Sequence, residues 1–573
     1  VLEALALALA LTGGVVQADE ADETLLEGPG APADDEADPS GGAGAWSYQF
    51  AQPQRVTVGG GKTLVSVESN TPVPSFGMYP VRFFVDNSSG PKQVLQFGLQ
   101  GFIAGRGAST TREVEIDAGE RRVVSLPAPV GLRYGTATAA GPGVTTGGEG
   151  SVYFLTHERV VLALASPERF EAFFGAPPAR TSSQVMVTVV PPEEAPSELA
   201  SYVGYAAVVL PDADALERLG EGPRRALEAY AATGGVVVLR GPLRARAAFP
   251  LLGAEVQSTQ PYGLGRLAVV DHQPDPALFR LRPEPAVAPR ATQVDRYAYG
   301  STTGDRLLPQ ATAPLGRFLL IIAAFTLAIG PGSVWVARRR GTAALLLTMP
   351  ATAAVTCAVI IGFSLLVDGF SVHAATFGLT RLDARQHRAV TVGLTAYYAN
   401  LAPGRVEFST ATVPIPMVEG SGEPVIVSLR WRDGLRLGSD FAPSRSYREW
   451  GFVSVEPTRA RLGVKQVGDG WVVQNALGAE VDEVTVLIDG ELRAAQGVKD
   501  GAEAPLAPRP AALEARSRVA DRFGEAVRAA VLVDPLAEGE FLAQVRGAGF
   551  VPTGGVEVTL HDSEHWVRGE VER

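Results

Sequence analysis

Residues 318 to 337, "FLLIIAAFTLAIGPGSVWVA", and 342 to 367, "TAALLLTMPATAAVTCAVIIGFSLLV", carry no charge and are separated only by Arg338-Arg339-Arg340-Gly341. At 1.5 Å per residue the first run reaches about 30 Å as a helix, the thickness of a bilayer's hydrocarbon core, and the second is long enough to span with tilt. Two such runs in tandem predict a helical hairpin in a membrane over residues 316–368 rather than a buried soluble hairpin. Pro331 and Pro350 are tolerated there, because neighbouring groups in membrane helices re-satisfy the freed backbone. In short loops an excess of arginine marks the cytoplasmic side, so Arg338, Arg339 and Arg340 are the topology determinants and both flanks are expected outside.

An outward placement requires export. Residues 1–18 hold an apolar stretch ending in Val16-Gln17-Ala18, a small-x-small cleavage pattern, although a basic start is missing. Residues 19–45 are acidic, rich in Pro and Gly and poor in aromatics, the composition of a disordered tether. The remainder, out of 573 residues in all, is long enough for several cores.

The net charge is −12 and lysine occurs only at 62, 92, 465 and 499, so the basic footprint of a nucleic-acid binder is missing. The single cysteine, Cys357, lies in an apolar run and rules out internal disulfides, Cys-based zinc sites and iron–sulfur clusters. No cofactor is called for by any motif: a Walker A loop, a Gly-x-Ser-x-Gly elbow and His-Glu-x-x-His are all absent from the sequence.

Residues 46–150 alternate short apolar segments with Gly, Pro, Asn and Ser, including "PVRFFVDNSSGPKQVLQFGLQG" around an Asn-Ser-Ser-Gly turn. They predict a β-sandwich of immunoglobulin-like type. From 151 to 290 the pattern changes to buried strands alternating with helices. "YAAVVLPDADALERL" enters a helix with Asp212 or Asp214 as N-cap, Pro223 opens a second helix, and Gly234-Gly235 stop it before "VVVLRG". This alternation implies a parallel sheet covered by helices.

The stretch from "YAAVVLPDADALERLGEGPRRALEAYAATGGVVVLRGP" to "YGLGRLAVVD" resembles the class I glutamine-amidotransferase-like domains of bacterial two-helix membrane proteins. The resemblance extends to "IGPGSVWVARRR", similar to an "IGPxNYxxLRR" turn from which Ser333 and Trp335 depart, and to "WVVQNALGAEVDEVTVLIDG". It implies an α/β domain whose catalytic cysteine would stand in the turn after Val236 to Leu239. That turn reads Arg240-Gly241-Pro242, so the resemblance implies a fold without its catalysis.

Residues 291–315 read as a linker, 369–505 as a second β-sandwich and 506–573 as a helix followed by terminal strands. "RAVTVGLTAYY" alternates as a half-buried strand, and Pro510 is expected to open one amphipathic helix through Val527. Two minority metal sites are weighed. Asp212 and Asp214 could hold a divalent cation through oxygens, but helix capping is favoured. His561 and His565 could share zinc on a helix, but "VEVTL" before them reads as a strand, which would hold them about 13 Å apart.

The expectation is thus a non-enzymatic protein of the bacterial cytoplasmic membrane with large domains on the periplasmic or extracellular side. Its partners would be the membrane, an envelope ligand and other envelope proteins, as in an accessory subunit of a transport or surface-organelle complex. An envelope hydrolase with an unrecognised, metal-dependent site is the competing expectation.

Overall fold

The computed structural model describes residues 47–573 except 104–105, 146–148, 176–183, 242–247, 251–258, 271–285, 288–306, 309–314, 364–370, 418–426, 511–516 and 518. The expected signal and acidic tether lie outside the described residues, as does much of the 291–315 linker.

Leucine, alanine and isoleucine dominate residues 315–363 and form helix wherever glycine and proline allow it. Leu315–Leu327 is α-helical, Ala328–Gly332 widens into a π turn around Pro331, and Ser333–Arg340 resumes the α-helix. The π turn absorbs the missing proline N–H without ending the helix. Gly341, at φ 82°, ends it, because that backbone conformation is strained for residues with a Cβ. A short 3-10 turn then leads into the second helix, Leu345–Phe363, which packs back against the first. The stretch Thr342–Gly362 is long and apolar enough to cross a membrane, and none of it is buried inside the protein.

The α/β part is a seven-stranded sheet in the order Ser47–Phe50, Gln184–Val190, Val160–Leu164, Ala207–Leu210, Val236–Arg240, Gly265–Val270, Thr259–Tyr262. All neighbours are parallel except the last pair. Buried valines, leucines and alanines fill the central strands, as expected for a sheet covered on both faces. Helix Pro167–Phe174 follows Val160–Leu164, and Glu221–Ala232 precedes Val236–Arg240. The latter helix begins two residues before Pro223, which lies inside its first turn instead of opening it.

Most of the remaining chain is antiparallel sheet. A five-stranded sheet and an eight-stranded sheet face each other across Val65, Val67, Phe83, Leu95, Phe97 and Leu99. Strand Met78–Asp86 belongs to the first and Gln93–Ile103 to the second, so the Asn-Ser-Ser-Gly turn carries the chain between sheets. Asn87 fixes that crossing. Its Nδ2 donates to the carbonyls of Pro91 (2.9 Å) and Asp117 (2.7 Å), while its Oδ1 accepts from Thr63 Oγ1 (2.6 Å) and Gln93 Nε2 (3.0 Å). The side chain is fully buried, so Asn87→Ala strands several polar groups away from water. Chemical denaturation should show a loss of about 2 kcal/mol, whereas an exposed neighbour such as Ser88→Ala should change little.

The eight-stranded sheet is completed from far along the chain. Val427–Trp431 pairs in parallel with Arg106–Ile116, and Trp431 Nε1 donates to Thr110 Oγ1 at 3.1 Å. A twelve-stranded sheet takes in Val372–Asp383, Arg388–Ala399 and Tyr447–Pro457 together with strands reaching to Glu564–Glu570. Arg388–Ala399 is buried along nearly its whole length on both faces, a correction to the half-buried strand expected from its alternation. Its neighbours on both sides and the elements packed above and below leave it no solvent face. The single helix expected from Pro510 is also not found. The described part is a 3-10 turn, Ala520–Arg522, then helix Glu525–Arg528 and a π turn, Ala529–Val533, with the break at Gly524.

Candidate functional site

In the α/β sheet the connection reverses between Val160–Leu164 and Ala207–Leu210, because the strand that follows the first in sequence, Gln184–Val190, lies on its other side. Such a reversal opens a crevice beyond the carboxyl ends of the strands, where ligands of open α/β sheets bind. Next to this point, at the carboxyl ends of Ser47–Phe50, Gln184–Val190 and Val160–Leu164, the crevice holds a cavity of about 410 Å³. Three strand ends supply its floor through Phe50, Ala165 and Thr188. Arg218 closes one side, and Glu68, Thr71 and Arg82 of the β-sandwich close the other.

On three of the residues around it, Thr71 Oγ1, Arg82 Nε and Thr188 Oγ1 are buried with no hydrogen-bond partner among the described residues. All three residues are at least nine-tenths buried. Each such atom costs about 1–3 kcal/mol unless something polar meets it, and all three belong to residues around this one cavity. A smaller cavity of about 230 Å³ at the opposite, amino-terminal edge of the sheet has no orphaned buried atom among its lining residues.

Charge in the crevice is closed on itself. Arg82 Nη1 bonds Glu68 Oε1 at 3.0 Å, and Nη2 bonds Glu194. Burial holds the Glu68 carboxyl above its ordinary pKa even though Arg82 and Arg55 pull it down. At the rim, Arg218 Nη2 lies 3.1 Å from Asp212 Oδ2, and its Nε lies 3.8 Å from Asp214 Oδ2.

Asp214 holds the N-cap position of helix Ala215–Arg218, yet its side chain makes no capping bond. The two aspartates face arginine rather than a shared cation, and among the described residues no group of three His, Cys, Asp or Glu could hold a metal. The residue after Val236–Arg240 is Gly241, at φ 88°, and residues 242–247 lie outside the described residues.

The structure sends the two terminal histidines to different places. Val558–Leu560 is a strand, so the alternation of "VEVTL" holds up, and Glu564–Glu570 is another. His565 is fully buried within the twelve-stranded sheet opposite Gly378. His561 instead meets His373, with Nε2 and Nδ1 3.0 Å apart, and His373 Nε2 lies 3.1 Å from Ser371 Oγ. Asn400 Nδ2 donates to the same Ser371 oxygen at 3.2 Å. Burial, and then His561, hold the His373 pKa below its ordinary value. Sequence reasoning misses this cluster because its members are 188 residues apart, brought together by the pairing of Val372–Asp383 with Val558–Leu560 and Glu564–Glu570. The only local signal is the Ser-x-His spacing at 371 to 373, which puts both side chains on one face of a strand.

No family model matches the chain, and no curated protein matches it. The solved structure of a Paenibacillus sp. cycloisomaltooligosaccharide glucanotransferase aligns at 9% identity and a TM-score of 0.14. The match spans 34% of this chain and 28% of that one, and a likeness of this size carries no argument.

Proposed function

We propose that this chain is a bacterial cell-envelope protein, anchored by the hairpin Leu315–Phe363, that binds an envelope ligand or partner in the carboxyl-edge crevice without catalysing a reaction. The observation that carries the reading is topological. Residues before the hairpin and residues after it interleave in one compact unit, as in the pairing of Val427–Trp431 with Arg106–Ile116. Both ends of the helical segment therefore open on the same side of any membrane it enters. If Thr342–Gly362 crosses, the preceding helix must cross back, and the Arg338–Arg340 turn lies alone on the far side. The positive-inside preference then puts that turn in the cytoplasm and the body outside. Arg339 stacks over the Trp335 ring at 4.5 Å, an aromatic–basic pairing suited to a membrane–water interface.

The crevice is read as a binding site for its place at the strand ends and for the polar side chains of Thr71, Arg82 and Thr188 around it. The amidotransferase-like reading of the α/β sheet agrees with its parallel order. It would make the chain a relative of membrane proteins that keep this fold for assembly.

Sidedness is the test. Single cysteines at Ser151, Gly341 and Ser439 in a Cys357→Ala background should give labelling of 151 and 439, but not 341, by an impermeant thiol reagent on intact cells. Labelling of 341 alone would place the body in the cytoplasm and end the envelope reading.

A hydrolase remains the second reading, favoured by one observation. The order Ser371 Oγ, His373 Nε2, His373 Nδ1, His561 is that of a nucleophile, a base and an orienting group. A fluorophosphonate probe should leave Ser371 unmodified if the protein only binds, and should label it in a His373-dependent way if it hydrolyses.

A further inference from the structure

Strand alternation divides the eight-stranded sheet into a buried and an open face. Leu95, Phe97 and Leu99, Ala137 and Ala139, and Val152 and Phe154 point into the sandwich core. The alternate residues point to solvent, and the register sets them in rows across neighbouring strands. Tyr153 is paired with Tyr134, and Gly135 with Gly101, so Phe102 falls beside Tyr134. Phe102 is 70% exposed, Tyr134 64% and Tyr153 38%. Three rings therefore line up across three strands over about 10 Å, at the inter-strand spacing of the sheet. The adjoining row is Gln100, Thr136 and Ser151, paired in the same register.

A soluble surface rarely gathers large apolar side chains unless something covers them. The chemistry of the two rows decides what. None of the six residues is charged, so a phosphate polymer or an acidic peptide finds no counter-charge there. The nearest charges on these strands, Arg133 and Glu149, stand at the margins, and Arg133 is bonded to Thr156 Oγ1. A lipid or a purely apolar protein surface would cover the aromatic row only by desolvating the amide and hydroxyl row beside it, which costs free energy. A sugar chain offers an apolar C–H face to the rings and hydroxyls to the row alongside. Tyrosine suits both, with an apolar body and a polar tip.

We infer that this face binds an uncharged polysaccharide, with Phe102, Tyr134 and Tyr153 stacking on sugar rings and Gln100, Thr136 and Ser151 bonding their hydroxyls. The inference does not depend on what occupies the crevice.

The test is affinity electrophoresis of the full-length protein in detergent through gels holding a linear α-glucan, a linear β-glucan or a soluble chitin derivative, with an acidic polyuronate gel as comparison. At least one neutral polymer should retard the protein. Tyr134→Ala should weaken that retardation by at least about tenfold and Thr136→Val by less, as expected when one aromatic anchor carries much of the contact. All three rings are exposed, so the melting temperature of Tyr134→Ala should match the parent and separate lost binding from lost folding. Retardation by none of the neutral polymers would overturn the proposal. So would retardation unchanged in Tyr134→Ala, or binding to the polyuronate alone.

Discussion

Glu228→Ala is expected to lower the stability of the folded body by about 3–5 kcal/mol, the largest single loss foreseen for a residue away from the apolar cores. Glu228 sits on helix Glu221–Ala232 of the α/β part, and Arg388 begins a central strand of the twelve-stranded sheet. Their contact is bidentate: Arg388 Nη1 to Glu228 Oε2 at 2.7 Å and Nη2 to Oε1 at 2.6 Å. Tyr262 donates its hydroxyl to the same carboxylate at 2.5 Å, and Asp383 Oδ2 takes Arg388 Nε at 3.2 Å. The side chains of Arg388 and Glu228 are 13% and 11% exposed, so removing the glutamate leaves a guanidinium largely out of water beside a phenol without its acceptor. A triple change, Glu228→Leu with Arg388→Met and Asp383→Asn, removes all three charges of this buried set together and should recover much of the loss, because a buried ion pair is worth little more than a well-packed neutral replacement. Denaturant midpoints in detergent would show it. A single-variant loss below about 1 kcal/mol would mean that water reaches this seam.

How much of this architecture the sequence discloses depends on the range of the interaction. Uncharged length and a local arginine excess are visible within fifty residues, so the helical pair and its turn at Gly341 can be read directly. The strand–helix alternation through Val236–Arg240 is equally local, and the parallel sheet follows from it. Burial of Arg388–Ala399 on both faces is not local. It depends on Val372–Asp383 and Tyr447–Pro457 flanking the strand and on the other elements packed over it, and its alternating Val, Thr and Gly look the same in a half-exposed strand. The broken helix after Pro510 shows the same limit, because apolar spacing cannot tell that Gly524 N–H bonds to Ala286 O, far back in the chain.

The candidate sites divide likewise. Asp212 and Asp214 are legible as a strand-to-helix turn, but their arginine partner is revealed only by the three-dimensional contacts of Arg218. Thr71, Arg82 and Thr188 have no shared sequence signal, since the crevice forms where the sandwich meets the α/β sheet. The aromatic row could have been glimpsed only by pairing strands first. Phe102, Tyr134 and Tyr153 are spaced by hairpin and loop lengths, not by any helical or strand period.

Acid should destabilise the folded body through His565. Its ring is held between two glycines. A Cβ on Gly378 would lie 2.3 Å from Nδ1, and one on Gly549 would lie 2.3 Å from Cγ. Nε2 lies 2.9 Å from Thr380 Oγ1 and receives the Phe550 N–H at 3.4 Å. Nδ1 is buried with no partner among the described residues. Burial pushes the pKa down to about 3 from an ordinary 6.5. The folded state therefore favours the neutral ring. The stability this contributes is fully present above pH 6.5 and is lost as the pH falls from 6.5 towards about 3. At about 1.4 kcal/mol per pH unit, on the order of 4–5 kcal/mol disappears across that window. Glu540, held below its ordinary pKa by the Ala537 N–H and by Arg568 and Arg381 against the cost of burial, adds acid sensitivity only below about pH 4.5. In the upper part of the window His565 makes the largest contribution, beside smaller ones from His373 and His157, whose pKa values burial also lowers. Denaturant midpoints of the parent should fall steadily from pH 6.5 to pH 5. In His565→Gln, which loses packing and starts lower at pH 7.5, the same interval should be distinctly shallower, with only the contributions of His373 and His157 left. Parallel curves for the two proteins would show that the ring is not the group that takes up the proton, and Gly378→Ala gives a check that does not titrate. Overlap with the ring should destabilise that variant by about 1–3 kcal/mol at every pH while leaving the slope unchanged.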